Sequence, residues 1–204
     1  VQNCGSPVLK LDYLLHDVVE QQRPLDWDSF WQKQASQPLH VIASGVSSKK
    51  AVVITSEGGN FKTPRELTEC MRASMLLLGI TGPMIDTRSS TGRRRLTWHP
   101  RFRASPRLVK ERLVDSQLYE QIPFQTALDD GCTHVLVLRS RPDGGNLLGK
   151  LKIAERLVAR RFFKRKSEDW ESYAFVKSGG PKRLYEESVL TLNEAAAAKI
   201  GDTG

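Results

Sequence analysis

Cysteine is scarce in this chain and poorly placed for chemistry. Cys4, Cys70 and Cys132 are the only three in 204 residues, and their separation excludes a CxxC redox motif and the ligand spacing of a structural zinc site. An odd, scattered set also argues against a disulfide scaffold and for a reducing, intracellular compartment. Long apolar runs are missing as well: Met75 to Ile80 and Val135 to Leu138 are the longest, far short of the ~20 residues that cross a bilayer. His16, His40, His99 and His134 stand singly, without the HExxH or Cys/His clustering of a zinc site, and read as structural or solvated side chains. The doublets Gly58-Gly59, Gly144-Gly145 and Gly179-Gly180 lack GxGxxG spacing and a Walker ending, so they read as turns. Asp86 and Asp143 have no paired carboxylate at a fixed spacing, which leaves a glycosidase without support. No cofactor and no metal are expected. The chain opens on Val1, which leaves room for a targeting segment ahead of it.

What is present suits a globular domain or a large fragment of one. Hydrophobic residues make up 39% and charged residues 26% of a 22.9 kDa chain, enough apolar surface for a core. Lys and Arg number 31 against 23 acids, a net charge of +8, which favours polyanionic partners such as RNA or anionic lipid. The excess is local. Arg88 to Arg112 holds nine basic residues and one acid, so the rest of the chain is balanced.

Leu11, Leu14, Leu15, Val18 and Val19 repeat at helical spacing and stop before Pro24, predicting an amphipathic helix that ends near Gln22. Leu39 to Ala43 and Ala51 to Thr55 read as two strands joined by a polar, hairpin-like connection. Thr63-Pro64-Arg65-Glu66 is a helix start: the threonine hydroxyl can cap the N3 amide, Pro64 loses nothing at N1, and Glu66 can reach back. Leu67, Cys70, Met71, Ser74 and Leu78 then form one helix face. A long Gly-, Pro-, Ser- and Arg-rich loop follows from Thr81, a short strand Arg112-Leu113-Val114 leads to Asp115, and Ile122 to Leu128 gives a helical turn or two ended by Asp130-Gly131. Thr133 to Ser140 is apolar nearly throughout, as a buried parallel strand would be. Leu148 to Phe162 traces a basic amphipathic helix, and Lys182 to Lys199 a final one.

Strands apolar on both faces, interleaved with helices, predict an α/β layered fold. Several stretches, in order, carry a resemblance. They are Pro38-Leu-His-Val-Ile-Ala43, Met71-Arg72-Ala73-Ser74 with its apolar run to Gly79, Arg112-Leu-Val-Asp115, the pair Ile122-Pro123, Gly131-Cys-Thr-His-Val135 with the following strand, and Glu155-Arg-Leu-Val-Ala-Arg-Arg161. Together they resemble the C-terminal half of patatin-like phospholipases.

The resemblance implies a patatin-like layered fold with a mainly parallel central sheet flanked by helices, present as a C-terminal portion. It implies residues 1–145 as part of the patatin-like domain, with a basic insertion at about 87–112, and residues 146–204 as a C-terminal helical extension. The family is a group of lipid acyl hydrolases using a serine-aspartate dyad, and Asp115 matches the dyad aspartate. A serine hydroxyl needs such a base within hydrogen-bond reach. The bland reading of Asp115 is a residue that ends a strand and caps a turn. The chain departs from the family in two places. Gly45-Val46-Ser47-Ser48-Lys49 lacks the last glycine of a Gly-x-Ser-x-Gly elbow and is followed by another apparent strand, so Ser47 reads as a loop residue. Ser116-Gln117 replaces Gly-Gly or Gly-Ala, a cost of ~1–2 kcal/mol if that backbone needs positive φ.

Two functions from different classes follow. The first is a lipid acyl hydrolase acting at a lipid or membrane surface, with Asp115 as base and no catalytic serine in this chain, so that the chain alone is inactive. The second is a noncatalytic subunit of a larger complex that binds RNA or an acidic protein through Arg93, Arg94, Arg95, Trp98, Arg101, Phe102 and Arg103, where arginines that pair phosphates alternate with rings that stack on bases. The same composition also suits a solvated loop.

Overall fold

A computed structural model describes residues 9–78, 80–82, 84–86, 111–139, 160, 163 and 169–201. The chain divides into two compact units, Val1–Ser116 and Gln117–Gly204.

In the first unit the expected opening helix forms, with an unexpected geometry. Tyr13–Gln22 is a wide helix of π type, and its last bond runs from the Arg23 amide back five residues to the Val18 carbonyl at 2.8 Å. A wider turn keeps positions four apart nearly in line. Leu11, just ahead of this stretch, and Leu15 within it are buried, while Leu14 is exposed. Helix α1, Trp27–Lys33, is capped by Asp26, whose carboxylate accepts from the Ser29 amide at 3.1 Å and the Ser29 hydroxyl at 2.7 Å. Trp27 stacks on Trp31, and with Phe30 it packs against the core.

Strands β1, Val41–Gly45, and β2, Lys50–Ile54, form the expected hairpin, with Val41 paired to Ile54 and Gly45 to Lys50. Helix α2, Pro64–Ser74, starts as its capping sequence predicts: the Thr63 hydroxyl accepts from the Glu66 amide at 3.2 Å, and the Glu66 carboxylate accepts from the Lys62 amide at 2.7 Å. Two short strands complete the sheet, β3, Ile85–Asp86, and β4, Arg112–Val114. Its order is β2-β1-β4-β3, and every pairing is antiparallel. The fold is thus mixed α and β, and the described strands build an antiparallel sheet rather than a mainly parallel one.

β1 is buried along its whole length because α2 covers one side and neighbours flank both edges. Ala43, Ile54, Phe61, Leu67, Cys70, Ala73, Leu76 and Leu113 make the core. Each fully buried large side chain in it is worth about 1.5–3 kcal/mol. β2 is an edge strand, and Lys50 is exposed at its start, a charge that discourages further pairing.

In the second unit, Ser116–Leu118 makes a short 3-10 turn across the boundary, and α3, Phe124–Asp129, ends at Gly131, whose φ of 89° closes the turn as expected. Helices α4, Trp170–Lys177, and α5, Gly180–Gly201, meet at Gly179, with φ 78°. The predicted C-terminal helix is therefore present and starts two residues early. Tyr119 stacks on Phe175 and its hydroxyl lies 2.8 Å from the Ser172 hydroxyl, while the Gln121 amide donates to the Pro181 carbonyl at 2.8 Å.

One expectation is overturned. Residues 133–139 belong to no sheet, and Leu136 and Leu138 are each 88% exposed. An apolar run is buried on both faces only where neighbouring strands and covering layers are supplied, and the described strands all lie in the first unit. The basic helix read from Leu148 to Phe162 and the basic segment 87–110 lie outside the described residues, apart from Arg160.

Candidate functional site

Asp115 follows β4 directly. Arg112, Leu113 and Val114 are buried, and Asp115 is half-buried where the strand ends. Its backbone amide donates to the Leu76 carbonyl at 3.0 Å, so the residue is tied to the segment that leaves α2. Across the sheet Ser44 pairs with Val114, and the fully buried Ser44 hydroxyl donates to the Ser116 carbonyl at 3.1 Å. These two bonds fix the backbone on either side of the Asp115 carboxyl. Among the described non-glycine residues Lys49 alone has positive φ. Ser116 and Gln117 therefore sit in ordinary backbone and incur none of the conditional cost set against them.

Ser47 lies in the four-residue turn between β1 and β2, exposed, with Lys49 left-handed at φ 59°. An antiparallel hairpin turn differs from the strand, tight turn and helix of a nucleophile elbow, and the loop reading of Ser47 holds. The turn amides are already engaged. Those of Ser47 and Ser48 donate to the two Glu111 carboxylate oxygens at 2.7 and 3.1 Å, and the Arg112 amide adds a third bond at 2.9 Å. Gly45 makes this approach possible: a Cβ there would come within 3 Å of Ser48, Val52 and the Glu111 carboxyl carbon. Three amides that could hold a developing negative charge are instead filled by an internal carboxylate.

A second cluster lies between the wide helix and α2. Asp12, His16 and Glu20 share one face of the first, and Arg65, Thr68, Glu69 and Arg72 one face of the second. His16 is buried, with Nδ1 at 2.7 Å from Glu20 and Nε2 at 3.1 Å from Glu69 and 2.8 Å from the Arg72 guanidinium. Arg72 also bonds Glu69 through Nε at 3.1 Å and reaches Asp12 through Nη2. Burial works to raise the Glu20 carboxyl, but hydrogen bonds from Thr68, His16 and Arg65 outweigh it and hold the group below its ordinary range. In the sequence His16 reads as a lone structural or solvated histidine, and the structure makes it a buried, hydrogen-bonded one. The signal was the i, i+4 spacing of Asp12, His16 and Glu20 facing a helix with Arg65, Glu69 and Arg72 at the same period.

The second unit holds a cavity of about 450 Å3 lined by Ile122, Pro123, Phe124, Val137 and Tyr185 among others. No group of three His, Cys, Asp or Glu side chains among the described residues is arranged to hold a metal, and no helix among them is long and apolar enough to cross a membrane. Of the residues singled out from sequence, Asp115 is placed by the structure. Arg93, Arg94, Arg95, Trp98, Arg101, Phe102 and Arg103 lie outside the described residues. No protein-family model, curated protein or solved structure matches the chain.

Proposed function

We propose that this chain is the base-bearing part of a patatin-like lipid acyl hydrolase, with Asp115 as the general base for a serine that lies outside these 204 residues. One observation carries the reading. Asp115 stands at the C-terminal end of a buried strand, its backbone tied on one side to Leu76 and followed on the other by the Ser116 carbonyl that Ser44 holds. A general base must be held within hydrogen-bond reach of the hydroxyl it deprotonates, and a pinned backbone would keep the Asp115 carboxyl in place for one. Asp115 takes the serine proton as the hydroxyl attacks the ester carbonyl, then returns it to the leaving alkoxide. Neither a cofactor nor a metal enters this scheme. The finer fold reading, a patatin-like layered domain with a mainly parallel sheet, belongs to the same proposal and requires parallel strands besides the described ones.

The purified chain is therefore expected to release no p-nitrophenol from a medium-chain p-nitrophenyl ester above the rate of Asp115→Asn. Turnover that survives Ser47→Ala and is abolished by a serine-directed fluorophosphonate would mean that the chain carries its own nucleophile.

The charge distribution favours a second reading, a noncatalytic subunit that binds RNA or an acidic protein. The excess of nine basic residues over one acid from Arg88 to Arg112 equals the net charge of the whole chain. Replacing Arg93, Arg94, Arg95, Arg101 and Arg103 by serine should weaken single-stranded RNA binding and flatten its salt dependence, because fewer counterions are released. Unchanged affinity and slope would remove this reading. Loss of binding in Trp98→Ala or Phe102→Ala would add base stacking to it.

A further inference from the structure

We propose that the proton on His16 Nε2 selects between two contact sets at the junction of the wide helix and α2, making this helix pair a proton-responsive clasp. Nδ1 faces the Glu20 carboxylate at 2.7 Å, and an ionised carboxylate can only accept. Nδ1 therefore carries a hydrogen in every state of the ring. Nε2 has two rival neighbours within hydrogen-bond distance, the Glu69 carboxylate at 3.1 Å and the Arg72 guanidinium at 2.8 Å, with the Asp12 carboxylate farther off at 3.7 Å. The first accepts and the second donates, so the ring nitrogen cannot satisfy both at once.

In the neutral ring, Nε2 offers its lone pair to Arg72 Nη2. When a proton arrives from water at Nε2, the nitrogen donates to Glu69 Oε1 instead, and Arg72 is left to Asp12 and to Glu69 Oε2. The charge count supports two workable states. The groups facing the ring are Asp12 and Glu20 on its own helix and Glu69 and Arg72 on α2, with Arg65 bridging Glu20 and Glu69. Three carboxylates against two guanidiniums leave one negative charge, which a protonated imidazole cancels. A neutral ring leaves the charge in place and gains the Arg72 bond. Histidine is the side chain whose ordinary titration falls between about pH 5 and 8, which sets the range to follow.

The test is nitrogen NMR on the full chain labelled with 15N, following the His16 ring and the Arg72 guanidinium together from about pH 5 to 8. Nδ1 is expected to stay protonated throughout while Nε2 alone gains and loses its proton, and the Arg72 side-chain signals should move with the same midpoint. Glu20→Ala should abolish the preference for the Nδ1–H form. A neutral ring protonated on Nε2, Arg72 signals that stay still while His16 titrates, or a ring that does not titrate in this range would each overturn the proposal. If the variant folds poorly, the spectra of the unaltered chain decide alone.

Discussion

The Glu111 carboxylate accepts from the Ser47 amide at 2.7 Å across 64 residues of sequence. With its bonds to the Ser48 and Arg112 amides, it fastens the β1–β2 turn to the start of β4, the strand that delivers Asp115. Glu111→Ala removes the acceptor of two part-buried amides and of the buried Arg112 amide, and leaving the buried one unsatisfied costs about 1–3 kcal/mol. A drop of that size is expected in chemical denaturation. Ser47→Ala should change stability by less than ~0.5 kcal/mol, since Ser47 contributes its amide and not its hydroxyl to this contact. Equal losses in the two variants would contradict the assignment.

How much of this was legible in the sequence depends on whether the signal was local. The Thr63 cap, the β1–β2 hairpin and the Gly131 turn rest on residues a few positions apart, and each is present, the hairpin with its first strand two residues later than read. Residues 133–139 show the opposite case. A run of Val and Leu encodes a preference for burial, but the strands that would bury it must come from elsewhere, and composition does not name them. The Glu111 contact and the His16 cluster are less legible, because the contacts that close them across elements span 45 to 64 residues. The wide geometry of Tyr13–Gln22 was missed because an apolar stripe reports a helix more readily than its pitch.

Glu20 should make stability depend on pH in one direction. Its folded carboxyl lies below the ordinary value of 4.5, so its contribution is complete above about that pH and fades as the pH falls through the lower folded value. Glu20→Gln is expected to cost about 1–3 kcal/mol at neutral pH through its lost charged hydrogen bonds. The difference from the parent in urea melts should then shrink below about pH 4.5. A gap that stays constant from about pH 7 to 3 would contradict this.

The cysteines should separate by reactivity. Burial, with added repulsion from Glu66 and Glu69, pushes the Cys70 thiol up to about 12, whereas Cys132 is exposed. The thiolate is the reacting form. Iodoacetamide at neutral pH is expected to modify Cys132 and to spare Cys70 until the protein is unfolded, as peptide mapping would show. Native labelling of both at similar rates would contradict the burial of Cys70.

Leu136 and Leu138 present two large apolar side chains at 88% exposure on an unpaired segment, a feature that promotes association. The parent is expected to show a mass that rises with concentration in sedimentation, and Leu136→Lys with Leu138→Lys to reduce that rise. A parent with one constant mass over the whole range would show that the segment causes no association.

The proposal that Asp115 is a general base is tested most directly by kcat for ester hydrolysis in a polypeptide that joins these 204 residues to a Gly-x-Ser-x-Gly serine. Asp115→Asn there is expected to lower kcat by at least ~100-fold, the low end for a positioned base, with an unchanged melting curve. A variant that keeps near-normal kcat and melts normally would contradict the account, and one that unfolds would make Asp115 a turn cap and not a base.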